Sequence, residues 1–302
     1  LTLSQNRKRI KKKKKNKIFS QKFEEEISKI LSFKLTNEQL KVIKEINFDL
    51  KSDERMFRIL QGDVGSGKTI VSLLTIANVI ESNHQCAFMG PTEILSFQHF
   101  KLAEKIFKNT NFNIKFLTGK TELNERKSIL KDLANGKIDL IIGTHALFQK
   151  NIKFKNLGYV VIDEQHKFGV KQRSDLAKKG GDNCDLLLMS ATPIPRTMMM
   201  SLYGDMDISK IKEKPSSRKS ILTLSKPEKK IDQLWIYIQK QINTGNQIFW
   251  VCPLIEKSKV LDYASAKLKF EMINKKFPNK VGLIHGALEN QKRDIVLNKF
   301  LN

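Results

Sequence analysis

The segment Gln61-Gly62-Asp63-Val64-Gly65-Ser66-Gly67-Lys68-Thr69 is the most informative motif in the first part of the chain. Residues 62–69 fit the pattern G-x-x-x-x-G-K-[ST] of a phosphate-binding loop. An apolar run at 57–60 precedes the loop, and a nearly all-apolar segment at 70–80 follows it. We therefore expect a buried strand, a glycine-rich turn and a helix, which together aim backbone N–H groups and the positive end of the helix dipole at one anion.

The residue types in this loop suit a nucleotide bound with Mg²⁺. Glycine permits backbone angles and a close approach that a side chain would block. Lys68 supplies a positive charge for the β- and γ-phosphates, and Thr69 offers a hydroxyl to the metal ion. The candidate cofactor-binding residues are Gly62, Asp63, Val64, Gly65, Ser66, Gly67, Lys68 and Thr69.

Length and charge limit what the chain can be. Its 302 residues could form two domains, and 55 Lys and Arg against 31 Asp and Glu leave a formal net charge of +24. Such a charge favours a polyanionic partner, nucleic acid above all. A compositional habit of the source, rich in Lys, Asn and Ile, would explain part of the excess equally well.

Other classes of protein are disfavoured. No apolar run approaches the roughly 18 residues that a membrane helix needs, and no signal peptide is recognisable at Leu1. Cys86, Cys184 and Cys252 are far apart in apolar surroundings, which predicts buried thiols in a reducing cytoplasm and neither disulfides nor a zinc site.

The first 32 residues are a basic segment, in which ten Lys and Arg precede the first acidic residue, Glu24. Such a block is typical of a disordered tail or a solvated helix, and it could also contact phosphates in a salt-dependent way. We interpret residues 1–32 as a connector or tail.

Short apolar runs then alternate with helical patterns. Strands are predicted at 57–60, 86–89, 114–117, 140–143, 159–162 and 186–190, and helices at 36–50, 70–80, 94–107 and 123–133. This alternation predicts an α/β fold with a parallel sheet covered on both faces. Ligands bind such sheets beyond the carboxyl ends of the strands, where the loop at 62–69 would lie.

A polar stretch containing a proline, at 211–220, predicts a linker between domains. After it, strands are predicted at 221–224, 247–251 and 281–284, and helices at 231–242, 261–277 and 291–300. The predicted domains are residues 33–213 and 214–302. Because three strands make too small a sheet to bury its faces, we expect the second domain to be incomplete.

The run Tyr159-Val160-Val161-Ile162-Asp163-Glu164 predicts a buried strand that ends in two carboxylates. A nucleoside triphosphatase needs one carboxylate near Mg²⁺ and a group that positions or deprotonates the attacking water. Asp163 fits the first role and Glu164 the second, so that Thr69 and Asp163 would hold the metal ion. Without the phosphate loop, the same two residues would fit equally well as acids at the solvated end of a strand, with no catalytic role.

The motif order resembles the second superfamily of DNA and RNA helicases, and more narrowly the RecG family of ATP-dependent DNA helicases, which remodel stalled forks and branched DNA in recombination and repair. The matching segments are FKLTNEQ (33–39), QGDVGSGKT (61–69), PTEILSFQH (91–99), GTHALFQ (143–149), VIDEQHKFGVKQR (161–173), MSATPIPRTM (189–198), YGDMD (203–207), CPLIE (252–256) and LIHG (283–286). The transcription-repair coupling factor shares PIPRT, but DEQHKFGVKQR followed by YGDMD favours RecG.

The resemblance implies roles for further residues. Gln39, with Phe33 nearby, would recognise the adenine of ATP. Ser190 and Thr192 would couple hydrolysis to movement, and His166 would connect the ATP site to the DNA site, although a histidine that merely packs in the core fits this position too. The residues that would face the DNA backbone are Thr92, Gln98, Thr144 and His145.

The resemblance also implies an architecture and a partner. We expect two RecA-like P-loop domains in tandem with ATP and Mg²⁺ in the cleft between them, acting as a monomer on branched or forked DNA in the cytoplasm. The family's wedge domain and its later motifs, including an arginine that reaches the γ-phosphate, are not recognisable in these 302 residues. We therefore expect a segment of a longer protein that binds ATP and hydrolyses it poorly.

Two alternatives remain at this point. One is a different DNA translocase, such as the transcription-repair coupling factor or a helicase that restarts replication. The other is a nucleic-acid-binding protein that uses ATP only as a switch, against which the intact pair Asp163-Glu164 argues.

Overall fold

A computed structural model describes residues 17–149, 151–164, 181, 184–192, 206–213, 221–253 and 265–301 of the chain. Contacts between residues divide the chain into two compact units, Leu1–Lys219 and Ser220–Asn302. The predicted borders at 32/33 and 213/214 remain predictions.

A parallel β-sheet forms the centre of the first unit. Its strands, seven within the described residues, are β1 (Phe57–Gly62), β2 (Gln85–Met89), β3 (Ile114–Leu117), β4 (Leu140–Gly143), β5 (Leu157–Ile162), β6 (Asp185–Ser190) and β7 (Asp207–Ile211). They lie in the order β3-β4-β2-β5-β6-β1-β7, and each pairing is parallel. The predicted α/β fold with a parallel sheet is confirmed, and six strands lie within two residues of their predicted starts and ends.

The strand β7 was missed, and residue 211 was wrongly assigned to the linker. Its sequence, Asp-Ile-Ser-Lys-Ile, lacks the apolar run of the central strands because Asp207 and Lys210 are exposed; among the described residues it pairs with one neighbour, β1. By contrast β2, β4, β5 and β6 are buried along their whole length, as expected for strands covered on both faces.

Helices of the first unit cover the sheet. They are α1 (Lys22–Ile30), α2 (Asn37–Lys51), α3 (Lys68–Glu81), α4 (Glu93–Ile106) and α5 (Leu123–Ala134). Alternate residues of β5 belong to two separate apolar clusters, since Tyr159 and Val161 join one and Val160 and Ile162 the other. The helix α3 is buried from Ile70 to Ile80, which explains why its sequence is apolar on every side.

Residues 17–31, which the sequence assigned to the basic connector, pack against the first unit. Phe19 and Ile27 are part of the larger apolar cluster. Lys17 Nζ lies 2.6 Å from Asp185 Oδ2 at the start of β6, and both side chains are almost completely buried. The most basic part of the predicted connector, residues 1–16, lies outside the described residues.

The second unit contains helices α6 (Ile231–Asn243), α7 (Ala266–Lys276) and α8 (Asn290–Leu301). Its small core contains Trp235, whose ring stacks on that of Trp250 with 5.2 Å between centroids. The strands predicted at 221–224, 247–251 and 281–284 are not formed within residues 221–253 and 265–301. A strand requires a hydrogen-bonded neighbour, and the predicted segments instead leave apolar side chains such as Leu222 and Val251 exposed.

Within the parts of the chain described above, no helix is long and apolar enough to cross a membrane. Cys86 and Cys184 are buried thiols outside any disulfide, as predicted, and Cys252 is half-buried. Burial raises the pKa of the Cys86 thiol well above its ordinary value.

Candidate nucleotide-binding site

Three of the predicted motifs meet at the carboxyl ends of neighbouring strands of the sheet. The strands β5, β6 and β1 are neighbours, with Ile162 beside Leu188 and Gln61 beside Ser190. Parallel strands have their carboxyl ends on the same side of the sheet. This places the loop after β1 beside the carboxylates after β5 and the hydroxyls at the end of β6. The sheet thus brings together segments separated by about a hundred residues.

The loop after β1 has the backbone of an anion-binding turn. Gly65 and Gly67 adopt the left-handed region, with φ of 76° and 90°. A Cβ on Gly67 would lie 2.2 Å from Gln39 Nε2. The helix α3 begins at Lys68, and its N-cap residue, Gly67, has no side chain to bond the first turn, so the first-turn N–H groups point towards any anion bound in the loop.

Gln39 supports this loop from the side. Its Nε2 donates to the carbonyl oxygen of Ser66 at 2.7 Å, and its Oε1 accepts from the backbone N–H of Thr36 at 2.9 Å. The hydroxyl of Thr36 accepts in turn from the backbone N–H of Gln39, which completes a capping box at the start of α2. Recognition of adenine by Gln39 and by Phe33, which is 44% exposed, remains a prediction.

Lys68 lies between the loop and the carboxylates. Its Nζ donates to the carbonyl oxygens of Gly62 at 2.7 Å and of Asp63 at 3.1 Å. Burial lowers the pKa of the Lys68 ammonium, and the nearby carboxylates of Asp163, Glu164 and Asp63 oppose that shift. A bound phosphate would act in the same direction as the carboxylates and favour the charged ammonium.

Asp163 is held in place by two hydrogen-bond donors. Its Oδ2 lies 2.9 Å from His99 Nε2, and its Oδ1 accepts from the backbone N–H of Glu164 at 2.9 Å. Glu164 itself has a positive φ of 49°, a conformation uncommon outside glycine. The residue is half-buried, and its carboxylate lies near enough to Lys68 to oppose the lowering of that ammonium's pKa.

His99 is a site residue that the sequence reasoning missed. It lies in the PTEILSFQH segment, where the predicted roles fall on Thr92 and Gln98. Ser96 and Ala103 of α4 are fully buried, and the spacing from each to His99, three and four residues, places all three on the face of the helix that meets the sheet. That spacing is the signal by which the sequence could have indicated an inward-facing histidine.

The segment Ser190-Ala191-Thr192 is joined to the strand that leads into the loop. Ser190 Oγ lies 3.1 Å from Thr192 Oγ1, and Gln61 Nε2 donates to the carbonyl oxygen of Thr192 at 3.1 Å. Ser190 and Thr192 therefore contact the residue immediately before Gly62. His166, the other residue assigned to coupling, lies outside the described residues.

The four candidate DNA-binding residues occupy two neighbouring segments. Thr92 and Gln98 are exposed on α4, where the hydroxyl of Thr92 accepts from Leu95 N as the helix cap. His145 is exposed, whereas Thr144 is 3% exposed, and its Oγ1 has no hydrogen-bond partner among the described residues. Ser96 Oγ donates to the carbonyl oxygen of Gly143 at 3.0 Å and joins the two segments.

The site fits a nucleotide with Mg²⁺. Thr69 is half-buried in the first turn of α3, and Asp163 lies close enough to Lys68 to act on its charge. A hydroxyl and a carboxylate are the two protein ligands that Mg²⁺ takes in phosphate loops of this kind, with phosphate and water oxygens completing the set. The left-handed Gly65 and Gly67 leave the backbone open to phosphate oxygens.

Comparison with known proteins identifies relatives along most of the chain. The ATP-dependent DNA helicase RecG of Thermotoga maritima is 45% identical over 92% of this chain. RecG of Aquifex aeolicus is 44% identical over 99% of it. The chain spans 36% and 38% of these two relatives, so it corresponds to less than two fifths of their length.

The fold is also shared with solved structures. A structure of RecG bound to a three-way DNA junction matches 99% of this chain and 39% of that chain, with a TM-score of 0.80 and 37% identity. The DUF1998 helicase MrfA bound to DNA matches with a TM-score of 0.65 at 16% identity, which shows the fold alone. The predicted resemblance to RecG is therefore confirmed.

The family model for the DEAD/DEAH box helicase matches residues 36–201, more than half of the chain. This range includes the phosphate loop, both carboxylates and the Ser190-Ala191-Thr192 segment. The chain belongs to the DEAD/DEAH box helicase family.

Proposed function

We propose that this chain is the ATP-binding part of a DNA helicase or translocase that acts on branched DNA. The observation that supports the proposal most strongly is the meeting of the phosphate loop, Asp163 with Glu164, and Ser190 with Thr192 at one sheet edge. The RecG relatives are named ATP-dependent DNA helicases, and the corresponding activity of this chain rests on that similarity.

The residues of the site suit hydrolysis of a phosphoanhydride. Lys68 and the N–H groups of the loop would bind the β- and γ-phosphates, and Thr69 and Asp163 would hold Mg²⁺. The metal ion, when bound, neutralises charge on the phosphates. Glu164 would orient the attacking water and accept its proton; its carboxylate and that of Asp163 both lie near enough to Lys68 to act on the pKa of the ammonium.

The DNA partner is proposed from surface position and charge. Thr92, Gln98 and His145 are exposed in the two segments that Ser96 joins to each other, and the net charge of +24 favours binding to phosphates. The solved RecG relative is bound to a three-way junction, so we propose a branched duplex as the preferred partner, bound by a monomer. Buried free thiols support a reducing, cytoplasmic setting.

Binding of a fluorescent ATP analogue in Mg²⁺, followed by titration with a three-way DNA junction, tests this function. We expect the 302-residue chain to bind the analogue and the junction, and to bind the junction more tightly than a linear duplex of the same length. Lys68→Ala should abolish binding of the analogue and leave the cooperative melt intact. Unchanged binding by Lys68→Ala would overturn the proposal.

Hydrolysis distinguishes a motor from a switch. If the chain binds nucleotide and DNA, Glu164→Gln should lower the rate of DNA-stimulated ATP hydrolysis and leave nucleotide affinity unchanged. Turnover that is indifferent to Glu164→Gln would favour a protein that uses ATP only as a switch.

A further inference from the structure

The ring of His99 is enclosed between α4 and the sheet. Its Nε2 lies 2.9 Å from Asp163 Oδ2, and the two side chains are each 12% exposed. The ring of Phe88, on β2, lies against it with 4.7 Å between centroids. Because β2 and β5 are paired strands, His99 reaches the end of β5 from the helix that follows β2.

The chemistry of the pair defines the direction of the hydrogen bond. An ionised carboxylate only accepts hydrogen bonds, so His99 Nε2 must donate to Asp163. The second oxygen of Asp163 accepts from the backbone N–H of Glu164. One donor on each oxygen fixes the plane of the carboxylate and leaves further lone pairs on both oxygens for a metal ion.

The histidine is itself held by its helix. Ser96, three residues earlier, donates to the carbonyl oxygen of Gly143 at 3.0 Å, which ties α4 to the end of β4. Thr92 caps the same helix through Leu95 N. The bond from Ser96 therefore fixes the backbone that carries His99 against the sheet, and the contacts with Phe88 and Asp163 hold the ring.

We propose that His99 is a positioning residue that orients the carboxylate of Asp163 for Mg²⁺, an inference that rests on the proposed function. Groups that hydrogen-bond to metal ligands hold those ligands in the geometry that the ion requires, and losing one typically lowers metal affinity about 10–100-fold. A histidine that only fills space against Phe88 would influence stability and leave the effect of the metal ion unchanged.

The test measures how much Mg²⁺ strengthens the binding of a fluorescent ADP analogue to the 302-residue chain. The dissociation constant is determined once in Mg²⁺ and once in EDTA, and the ratio of the two values isolates the metal ion's contribution. The variants are His99→Ala, His99→Gln, whose amide can still donate, and His99→Leu, which is similar in size and cannot. Lys105→Ala, at an exposed position of α4, is the matched control.

We expect His99→Ala and His99→Leu to reduce the ratio by at least about tenfold, with the EDTA value unchanged. His99→Gln should recover most of the ratio, and Lys105→Ala should equal the original chain. If His99→Ala fails to melt cooperatively, the comparison of His99→Gln with His99→Leu decides, because both fill the space and only one donates.

Two results would overturn the inference, and they are distinguishable. Equal ratios for the original chain, His99→Leu and His99→Gln would show that the histidine does not orient the metal ligand, while the nucleotide site itself stands. Absence of nucleotide binding by the original chain would remove the proposed function and this inference with it.

Discussion

Gln39 Nε2 donates a 2.7 Å hydrogen bond to the carbonyl oxygen of Ser66, so the first turn of α2 supports the phosphate loop directly. The two residues are 27 positions apart in sequence. The same amide nitrogen occupies the space next to Gly67, where a Cβ would approach it to 2.2 Å. The hydrogen bond from Gln39 to Ser66 therefore requires a residue without a side chain at position 67.

Gly67→Ala should weaken nucleotide binding at least about tenfold and lower the free energy of unfolding by about 1–3 kcal/mol. The physical reasons are the φ of 90° and the contact with Gln39. Nucleotide titration and urea unfolding measure the two effects. The control is Gly119→Ala, since a Cβ at Gly119 meets nothing within 4 Å, and an equal loss in both variants would contradict the argument.

Substitutions of Thr36 and Gln39 distinguish capping of α2 from recognition of the nucleotide base. Thr36→Ala removes the cap of α2 and should cost about 1 kcal/mol of stability, with the contact between Gln39 and Ser66 retained. Gln39→Ala should in addition lower ATP affinity and the preference for ATP over GTP, which tests the predicted recognition of adenine. An ATP-to-GTP affinity ratio that Gln39→Ala leaves unchanged would show that Gln39 supports the loop and does not read the base.

Lys17→Met should destabilise the first unit strongly. The variant leaves Asp185 as a buried charge without its 2.6 Å ammonium partner, and breaking a buried ion pair in this way costs about 3–5 kcal/mol. Thermal unfolding measures the loss. Lys22→Met, at an exposed position of α1, is the control, and adding Asp185→Asn to Lys17→Met should recover part of the stability because the buried carboxylate charge is then gone.

Glu38 makes the stability of the first unit sensitive to acid. Hydrogen bonds from the backbone N–H groups of Glu213 and Lys212 lower the pKa of its carboxyl group. A carboxyl group with a lowered folded-state pKa adds stability above its unfolded pKa and loses it as the pH falls through the folded value. The difference between the original chain and Glu38→Gln should therefore be full at pH 7 and shrink below a pH of about 4.

Unfolding followed at several pH values checks this prediction. Glu26→Gln, at an exposed position of α1, is the control. A difference between the original chain and Glu38→Gln that stays constant from pH 7 to pH 3 would contradict the assignment to the Glu38 carboxylate.

Some parts of the site were predictable because residues close together in the sequence determine them. The phosphate loop requires glycine where φ is positive, and Gly65 and Gly67 have φ of 76° and 90°. Central strands such as β5 are buried on both faces, so their uninterrupted apolar runs show where they begin and end. Helix caps such as Thr36 are set by residues three positions apart.

Other parts were not predictable because their reasons lie far away in the chain. The edge strand β7 reads as polar, since only two of its five residues, Ser209 and Ile211, are buried. In the second unit the apolar runs at 221–224, 247–251 and 281–284 predicted strands that are not formed there, because a run of suitable residues does not by itself supply a paired neighbour.

Local sequence predicts the phosphate loop, the carboxylates at the end of β5 and the alternation that makes an α/β fold, because each depends on neighbouring residues. The contacts of His99 with Asp163 across 64 positions, and of Lys17 with Asp185 across 168, arise only from the folded arrangement. In the strand order β3-β4-β2-β5-β6-β1-β7, the strand β1 lies between β6 and β7, so the phosphate loop that follows β1 lies beside segments from distant parts of the chain. The physical reason is that packing of the whole sheet, and not local backbone preference, selects which buried polar groups become partners.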